Sequence, residues 1–219
     1  MTKRTQKNTL YEQVARIGKA VSSPKRLEIL ELLTQSEKTV ETLTVELQVD
    51  VKLVSAHLRT LRQANLVTSR HEGKFRFYSL ADPAIAVLIV QLRNLALNHL
   101  DELNAALQEF GTKPEDLTPL GREELLDKSE SGEITLIDVR PADEYAAGHL
   151  PYARSLPVEE LEGRLDELSQ DKEIIAYCRG PFCLFADDAV ALLKSRGFTA
   201  SKTSDGIAEW CNAKLPLTR

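Results

Sequence analysis

The sequence predicts two domains, an α-rich one that carries a β-hairpin followed by an α/β one built on a parallel sheet. Three observations predict it. The 219 residues are about twice the length of an ordinary small domain. Apolar positions recur at helical spacing through residues 1–110, whereas short β-branched runs alternate with helical ones beyond residue 117. The charge also changes sign, with 15 Lys and Arg against 12 Asp and Glu in residues 1–110 and 13 against 21 in residues 111–219. The two halves are therefore expected to face different partners.

With 42% hydrophobic and 28% charged residues, the composition is globular, neither disordered nor fibrous. The densest apolar run, residues 84–90, is far shorter than the roughly 18 residues of a membrane span, and the start of the chain lacks the layout of a signal peptide. A cytoplasmic protein with no membrane partner is expected. Its three cysteines, Cys178, Cys183 and Cys211, then point to thiol chemistry or burial rather than to a disulfide framework.

In the first half, Leu10, Val14, Ile17 and Val21 mark one helix. Ser23 and Pro24 supply an N-cap and an N1 proline for a second helix over Leu27, Ile29, Leu30, Leu32 and Leu33. Thr39 is placed to cap a helix over 40–47 and Asp50 one over 51–64, with Gln48 and Val49 between them, the connection of a helix-turn-helix. Strands over 66–70 and 75–80 flank His71, Glu72, Gly73 and Lys74, a turn that makes a β-wing. Residues 83–110 contain no breaker and predict one helix of about 28 residues. Its stripe is Leu88, Leu92, Leu95, His99, Leu103, Ala106 and Phe110, with a second row at Ile85, Ile89, Ala96, Leu100 and Leu107. So wide an apolar surface implies a homodimer.

Residues 51–80 hold six Lys or Arg and one acid, Glu72. Val54, Leu58 and Leu61 form the inward stripe of the second helix of the pair, leaving Lys52, Ser55, Arg59 and Arg62 on other faces, with Lys74 and Arg76 on the wing. A solvated charged face is the bland reading. A helix for the major groove with a basic wing along the backbone, binding double-stranded DNA, is the reading the spacing favours.

These residues resemble the ArsR/SmtB family of winged-helix bacterial repressors. The resemblance spans about residues 10–105 and rests on residues 23–30, on Val54-Ser55-Ala56-His57-Leu58 with Leu61, Leu66 and Val67, and on Glu72-Gly73-Lys74-Phe75-Arg76-Phe77-Tyr78. It implies a dimer that binds inverted-repeat operators and releases them when an inducer binds, with His57 among the DNA-facing residues. The family often has polar residues where this chain has Val51 and Ala56, which shifts base readout toward Ser55, Lys52 and thymine-methyl contact. The helix before the recognition helix, residues 41–47, has no cysteine, so the family's thiolate metal site is absent there. His99 with Asp101 and Glu102 makes too few ligands for a zinc site on the last helix. No metal and no cofactor are expected.

Residues 111–116 read as a linker, because Gly ends the long helix and Pro114 prevents its continuation. Beyond it, runs at 135–139 and 173–178 read as strands, 158–168 and 184–196 as helices, 200–203 as a weaker strand, and a short helix follows Gly206. Cys178 stands at the end of an apolar strand, in the loop Arg179-Gly180-Pro181-Phe182-Cys183 that feeds a helix. Backbone amides and a helix N-terminus in such a loop favour a thiolate and can hold a sulfur beyond it. Buried structural cysteine is the alternative.

This half resembles a rhodanese (sulfurtransferase) domain from about residue 117 onward. The matching pieces are Leu136-Ile137-Asp138-Val139-Arg140, residues 144–153, the cysteine loop and Asp205-Gly206-Ile207-Ala208-Glu209-Trp210. The resemblance implies that Cys178 accepts sulfane sulfur as a persulfide from a persulfide, polysulfide or thiosulfate donor and passes it to a thiol or cyanide-like acceptor. Arg179, Gly180, Pro181, Phe182 and Cys183 would form the cradle. Asp138, Arg140 and His149 are implied to be structural. Leu184 stands where a phosphatase loop needs Arg, which argues against phosphate transfer. Cys183 either packs as a bystander or resolves the Cys178 persulfide. Together the halves predict a transcriptional regulator, expected to be a repressor, that carries or senses sulfane sulfur. The rival is a sulfurtransferase that the helix-turn-helix localises or dimerises.

Overall fold

The computed structural model describes residues 2–110 and 113–219. The chain divides into two compact units, Met1–Ile89 and Val90–Arg219, and helix α5 (Pro83–His99) runs across the division. Of the expected linker, Gly111 and Thr112 lie outside the described residues, and Pro114–Asp116 forms a 3-10 turn.

In the first unit, helices α1 (Lys3–Val21), α2 (Pro24–Gln35), α3 (Val40–Leu47) and α4 (Val51–Gln63) precede the hairpin β2 (Val67–Glu72) and β3 (Phe75–Leu80). Pro24 occupies the first turn of α2, where a missing N–H costs nothing. The Thr39 hydroxyl accepts from the Thr42 amide, and the Asp50 carboxylate accepts from the Lys52 amide at 2.7 Å, so both helices of the pair start on side-chain caps. Gln48 turns the chain between them in the left-handed region, at φ 51°. Ile29, Leu30, Leu43, Val54, Leu58, Leu61 and Leu66 close the core.

Two expectations are corrected here. The hairpin ladder runs on to Glu72 opposite Phe75, so the turn has two residues, not four, and Gly73 supplies its positive φ of 57°. A short strand β1 (Lys38–Thr39), not foreseen, pairs antiparallel with β3 and makes the sheet three-stranded.

A third correction concerns the 28-residue helix. Helix α5 (Pro83–His99) and helix α6 (Asp101–Glu109) are separate, bent by 95° at Leu100, whose backbone is extended. Asp101 and Glu102 favour a new N-terminus, being acidic in its first turn. Asn104 Nδ2 donates to the Leu97 carbonyl at 2.8 Å, satisfying an acceptor that the break releases. No single helix among the described residues is long and apolar enough to cross a membrane.

The second unit holds a four-stranded parallel sheet in the order β5 (Arg154–Ser155), β4 (Ile134–Asp138), β6 (Glu173–Tyr177), β7 (Ala200–Lys202). Helices α7 (Arg122–Glu130), α8 (Ala142–Ala147), α9 (Val158–Leu161), α10 (Phe185–Ser195) and α11 (Ile207–Asn212) connect and cover the strands. The helix expected over 158–168 is only four residues of α9 followed by a 3-10 segment, Glu162–Glu167, in which Arg164 leaves helical geometry beside Gly163. One core cluster contains Ile137, Ile174, Val190 and Leu193, and the other Leu136, Ile175, Tyr177 and Trp210.

Buried polar groups fix the C-terminal ends of β4 and β6. Asp138 and Arg140 are both fully buried, and Arg140 Nε donates to Asp138 Oδ1 at 3.0 Å. Arg140 also donates to the Gly148 carbonyl at 2.8 Å, and the Tyr177 hydroxyl donates to Asp138 Oδ2 at 2.5 Å. Burial, then the Asp138 charge, pushes the Tyr177 phenol well above its ordinary range, so it stays a donor. His149 stacks on Tyr145 with ring centroids 3.8 Å apart and meets its carbonyl through Nδ1.

Candidate functional site

On α4, Val54, Leu58 and Leu61 face the core, so the remaining positions form the outer face. Lys52, Arg59 and Arg62 are exposed and Ser55 is half-buried. Ser55, Arg59 and Arg62 meet Arg76 and Tyr78 of β3 around a cavity of about 400 Å³. Three guanidinium groups and a hydroxyl in one concavity suit a phosphate backbone. Lys52 and Lys74 are exposed outside this cavity, Lys74 at the wing tip over the Phe75 ring. Arg76 donates to His71 Nε2 at 3.1 Å.

Arg70 and His57, near the same face, have altered charge. Arg70 pairs with Glu37 and Glu72, which raise its pKa, so much of its charge is neutralised within the protein. His57 is half-buried, and desolvation, then the charge of Arg26, lowers its pKa below the ordinary histidine range. It is held neutral and lies outside the arginine-lined cavity. The outer face of α4 also exposes Val51 and Leu53, apolar groups of the kind that meet thymine methyls. Leu53 was not among the residues singled out from the sequence.

In the second unit, β6 delivers Cys178 to the end of the sheet, where it is 3% exposed. The loop turns through Gly180, at φ 140°, and the Cys183 amide donates back to the Gly180 carbonyl at 3.1 Å. That turn brings the Cα atoms of Cys178 and Cys183 to 6.3 Å, and their sulfurs form a disulfide. The loop enters α10 at Phe185, with Phe182 and Leu184 on its exposed rim and Pro181 half-buried.

Arg179 turns its guanidinium toward α8. It forms two hydrogen bonds to the fully buried Glu144 of α8, at 3.0 and 2.6 Å, and lies over the Phe185 ring. The back of the loop meets a second ion pair, Arg93 of α5 with Glu209 of α11, both buried. A Cβ on Gly180 would stand 3.1 Å from Glu209 Oε2 and 3.4 Å from both terminal nitrogens of Arg93. A Cβ on Gly206 would stand 2.5 Å from the Arg179 carbonyl group, so only glycine lets α11 start this close to the loop. Arg93 and Glu209 were not foreseen, because no short-range pattern links a residue at 93 with a loop at 180. Cys211 is exposed, and burial of part of its surroundings pushes its thiol pKa up.

Comparison with known proteins assigns both units. Residues 23–69 match the bacterial regulatory protein arsR family, and residues 121–213 match the rhodanese-like domain. The HTH-type transcriptional regulator Rv0324 of Mycobacterium tuberculosis is 41% identical over 96% of this chain and 92% of its own length. A sulfurtransferase of Allochromatium vinosum is 28% identical over 41% of this chain and 82% of its own. A solved winged helix-turn-helix fragment, Mb0332 of Mycobacterium bovis, is 36% identical over 46% of this chain and 91% of that one, with a TM-score of 0.42. Similarity to Rv0324 along almost the whole chain, with one family match in each half, makes this protein a member of the arsR-type DNA-binding transcriptional regulators that carry a rhodanese-like domain.

Proposed function

We propose that this regulator reports sulfane sulfur to its operator, and that Cys178 and Cys183 are the reporting pair. The observation that carries the reading is the Cys178–Cys183 bridge at the end of β6. A thiolate at Cys178 attacks the sulfane sulfur of a persulfide or polysulfide donor. The donor's S–S bond breaks, its thiolate leaves and takes the proton, and Cys178 becomes a persulfide. Cys183 then attacks the Cys178 sulfur. The terminal sulfur leaves as hydrosulfide, so it is reduced while the two cysteines are oxidised to the bridge. A dithiol reductant returns both thiols by exchange.

DNA contact falls to Ser55, Arg59, Arg62 and Arg76, with Lys52 and Lys74 adding phosphate contacts and Val51 and Leu53 facing base methyls. The protein acts as a homodimer on double-stranded operator DNA, as a repressor. Leu10, Tyr11 and Val14 of α1 and Leu92 and Leu95 of α5 are exposed apolar side chains that a second copy would cover. The sulfur state controls DNA only if the two forms differ in operator affinity. Mobility shift tests this on wild type, Cys178→Ser and Cys183→Ser, with and without polysulfide. The expected result is a response in wild type and none in Cys178→Ser; one affinity across all samples ends the sensor reading.

The second reading is sulfur transfer as an activity in its own right, and similarity to a sulfurtransferase over the rhodanese-like half supports it. Turnover with a persulfide or thiosulfate donor and a cyanide or thiol acceptor that is robust and indifferent to operator DNA would favour it.

A further inference from the structure

We propose that Arg93 is a positioning residue of the sulfur site, through which helix α5 holds the Cys178–Cys183 loop and registers its state. This deepens the sulfur-switch reading above and rests on it.

The second unit begins at Val90 and includes the part of α5 that bears Arg93. Arg93 and Glu209 are 5% and 8% exposed in their side chains. A buried ion pair gains little net stability over apolar residues of the same volume, because desolvation offsets the attraction, so its use is better sought in what it orients. Here it orients three things. Glu209 Oε2 accepts the Gly206 amide at 2.9 Å and so fixes the first turn of α11. Glu209 and Arg93 both lie against Gly180, midway along the chain that links the bridged cysteines. The Arg93 guanidinium also sits 5.5 Å from the Phe182 ring centroid, next to Cys183. A second tie joins the same helices, from Gln91 Nε2 to Asn212 Oδ1 at 3.3 Å.

Gly180 and Phe182 cannot shift without changing what Arg93 rests on. Opening the bridge releases the restraint that the two sulfurs place on that segment. Ile85 and Ile89 of the same helix belong to the core of the first unit, and Arg93 lies one helical turn beyond Ile89. Helix α5 therefore carries a residue that touches the sulfur loop and residues that build the DNA-reading core.

The test uses the full chain as wild type, Arg93→Gln and Arg93→Lys. One readout is the thiol–disulfide equilibrium of Cys178 and Cys183 against a dithiol buffer, quantified by alkylation and mass spectrometry. The other is operator affinity in the reduced and bridged forms. Arg93→Gln is expected to shift the equilibrium constant by at least about twofold, the lower end of couplings between contacting residues. It should leave the reduced form's operator affinity unchanged and erase the difference between the two forms. Lysine keeps the charge without the planar fork, so Arg93→Lys should shift the equilibrium in the same direction by a smaller factor. If Arg93→Gln does not fold, Arg93→Lys decides alone. An equilibrium constant equal to that of wild type in the folded variants overturns the proposal. Wild-type operator affinity that ignores the sulfur state would instead overturn the sensor reading, and the thiol equilibrium would still judge Arg93.

Discussion

Replacing Glu144 by Gln is the perturbation that best measures how the sulfur loop is held. Glu144 is fully buried and pairs across the loop with Arg179, itself 13% exposed in its side chain. The amide keeps the volume but removes the negative charge, leaving a guanidinium mostly out of water against a neutral group. Breaking a buried pair in this way costs about 3–5 kcal/mol, which for a chain of this size corresponds to a fall in Tm of about 6–20 °C. Arg179 also lies over Phe185, the first residue of α10, so the loss loosens the loop just before its exit into the helix. Thermal unfolding of the second unit's signal, followed by its single Trp210, gives the first readout. A double replacement, Glu144→Leu with Arg179→Met, removes both charges and should recover most of the loss. A Glu144→Gln Tm within about 3 °C of wild type would refute the claim that this pair anchors the loop.

Other consequences concern the first unit. Arg59→Ala and Arg62→Ala should each weaken binding to all DNA sequences and lower the slope of log affinity against log salt by about 1, measured by fluorescence anisotropy. Arg70→Ala should do less, because Glu37 and Glu72 already hold that guanidinium. Leu61→Ala, at a position with no exposure, should cost about 2–5 kcal/mol in urea unfolding. His57 has a lowered pKa in the fold, so the unfolded chain binds its proton more readily. Its stabilising contribution is present above the unfolded value and is lost as pH falls below about 6.5 toward the folded value. His57→Gln should flatten that part of the stability profile, and an unchanged slope would count against the burial argument.

The first unit was legible because its signals are local. Thr39, Asp50 and Pro24 act within one turn of the helices they start, and the stripe Val54, Leu58, Leu61 lies within one helix. The wing turn was misjudged by two residues, both at the end of the first strand, since pairing between strands outweighs the low strand propensity of His71 and Glu72. Leu100 shows the opposite failure. No breaker stands in residues 83–110, yet the chain bends there, because the first-turn acids Asp101 and Glu102 and the side chain of Asn104 support a new start. The sulfur loop itself was recognisable from Cys178, Gly180 and Cys183. Its supports, Glu144, Arg93 and Glu209, are separated from it by 35, 87 and 29 positions when counted from Arg179, Gly180 and Gly180, and no periodicity connects such distances.

The choice between sensing and transfer comes down to what happens to a persulfide on Cys178. With the two Cα atoms 6.3 Å apart, Cys183 is an intramolecular competitor for any external acceptor. A thiol tethered by so short a segment acts at an effective concentration of roughly millimolar or more, about a thousandfold above a micromolar acceptor of equal nucleophilicity. Wild type given a persulfide donor should therefore release about one sulfide per chain and stop at the bridge until a dithiol is supplied. Cys183→Ser removes the competitor while leaving Cys178 able to take the sulfur, so its persulfide should persist in the mass spectrum and its transfer to added cyanide should exceed that of wild type. Equal persulfide lifetimes and equal transfer in the two proteins would mean that Cys183 does not resolve the persulfide. The regulator would then have to read the persulfide itself, not the bridge.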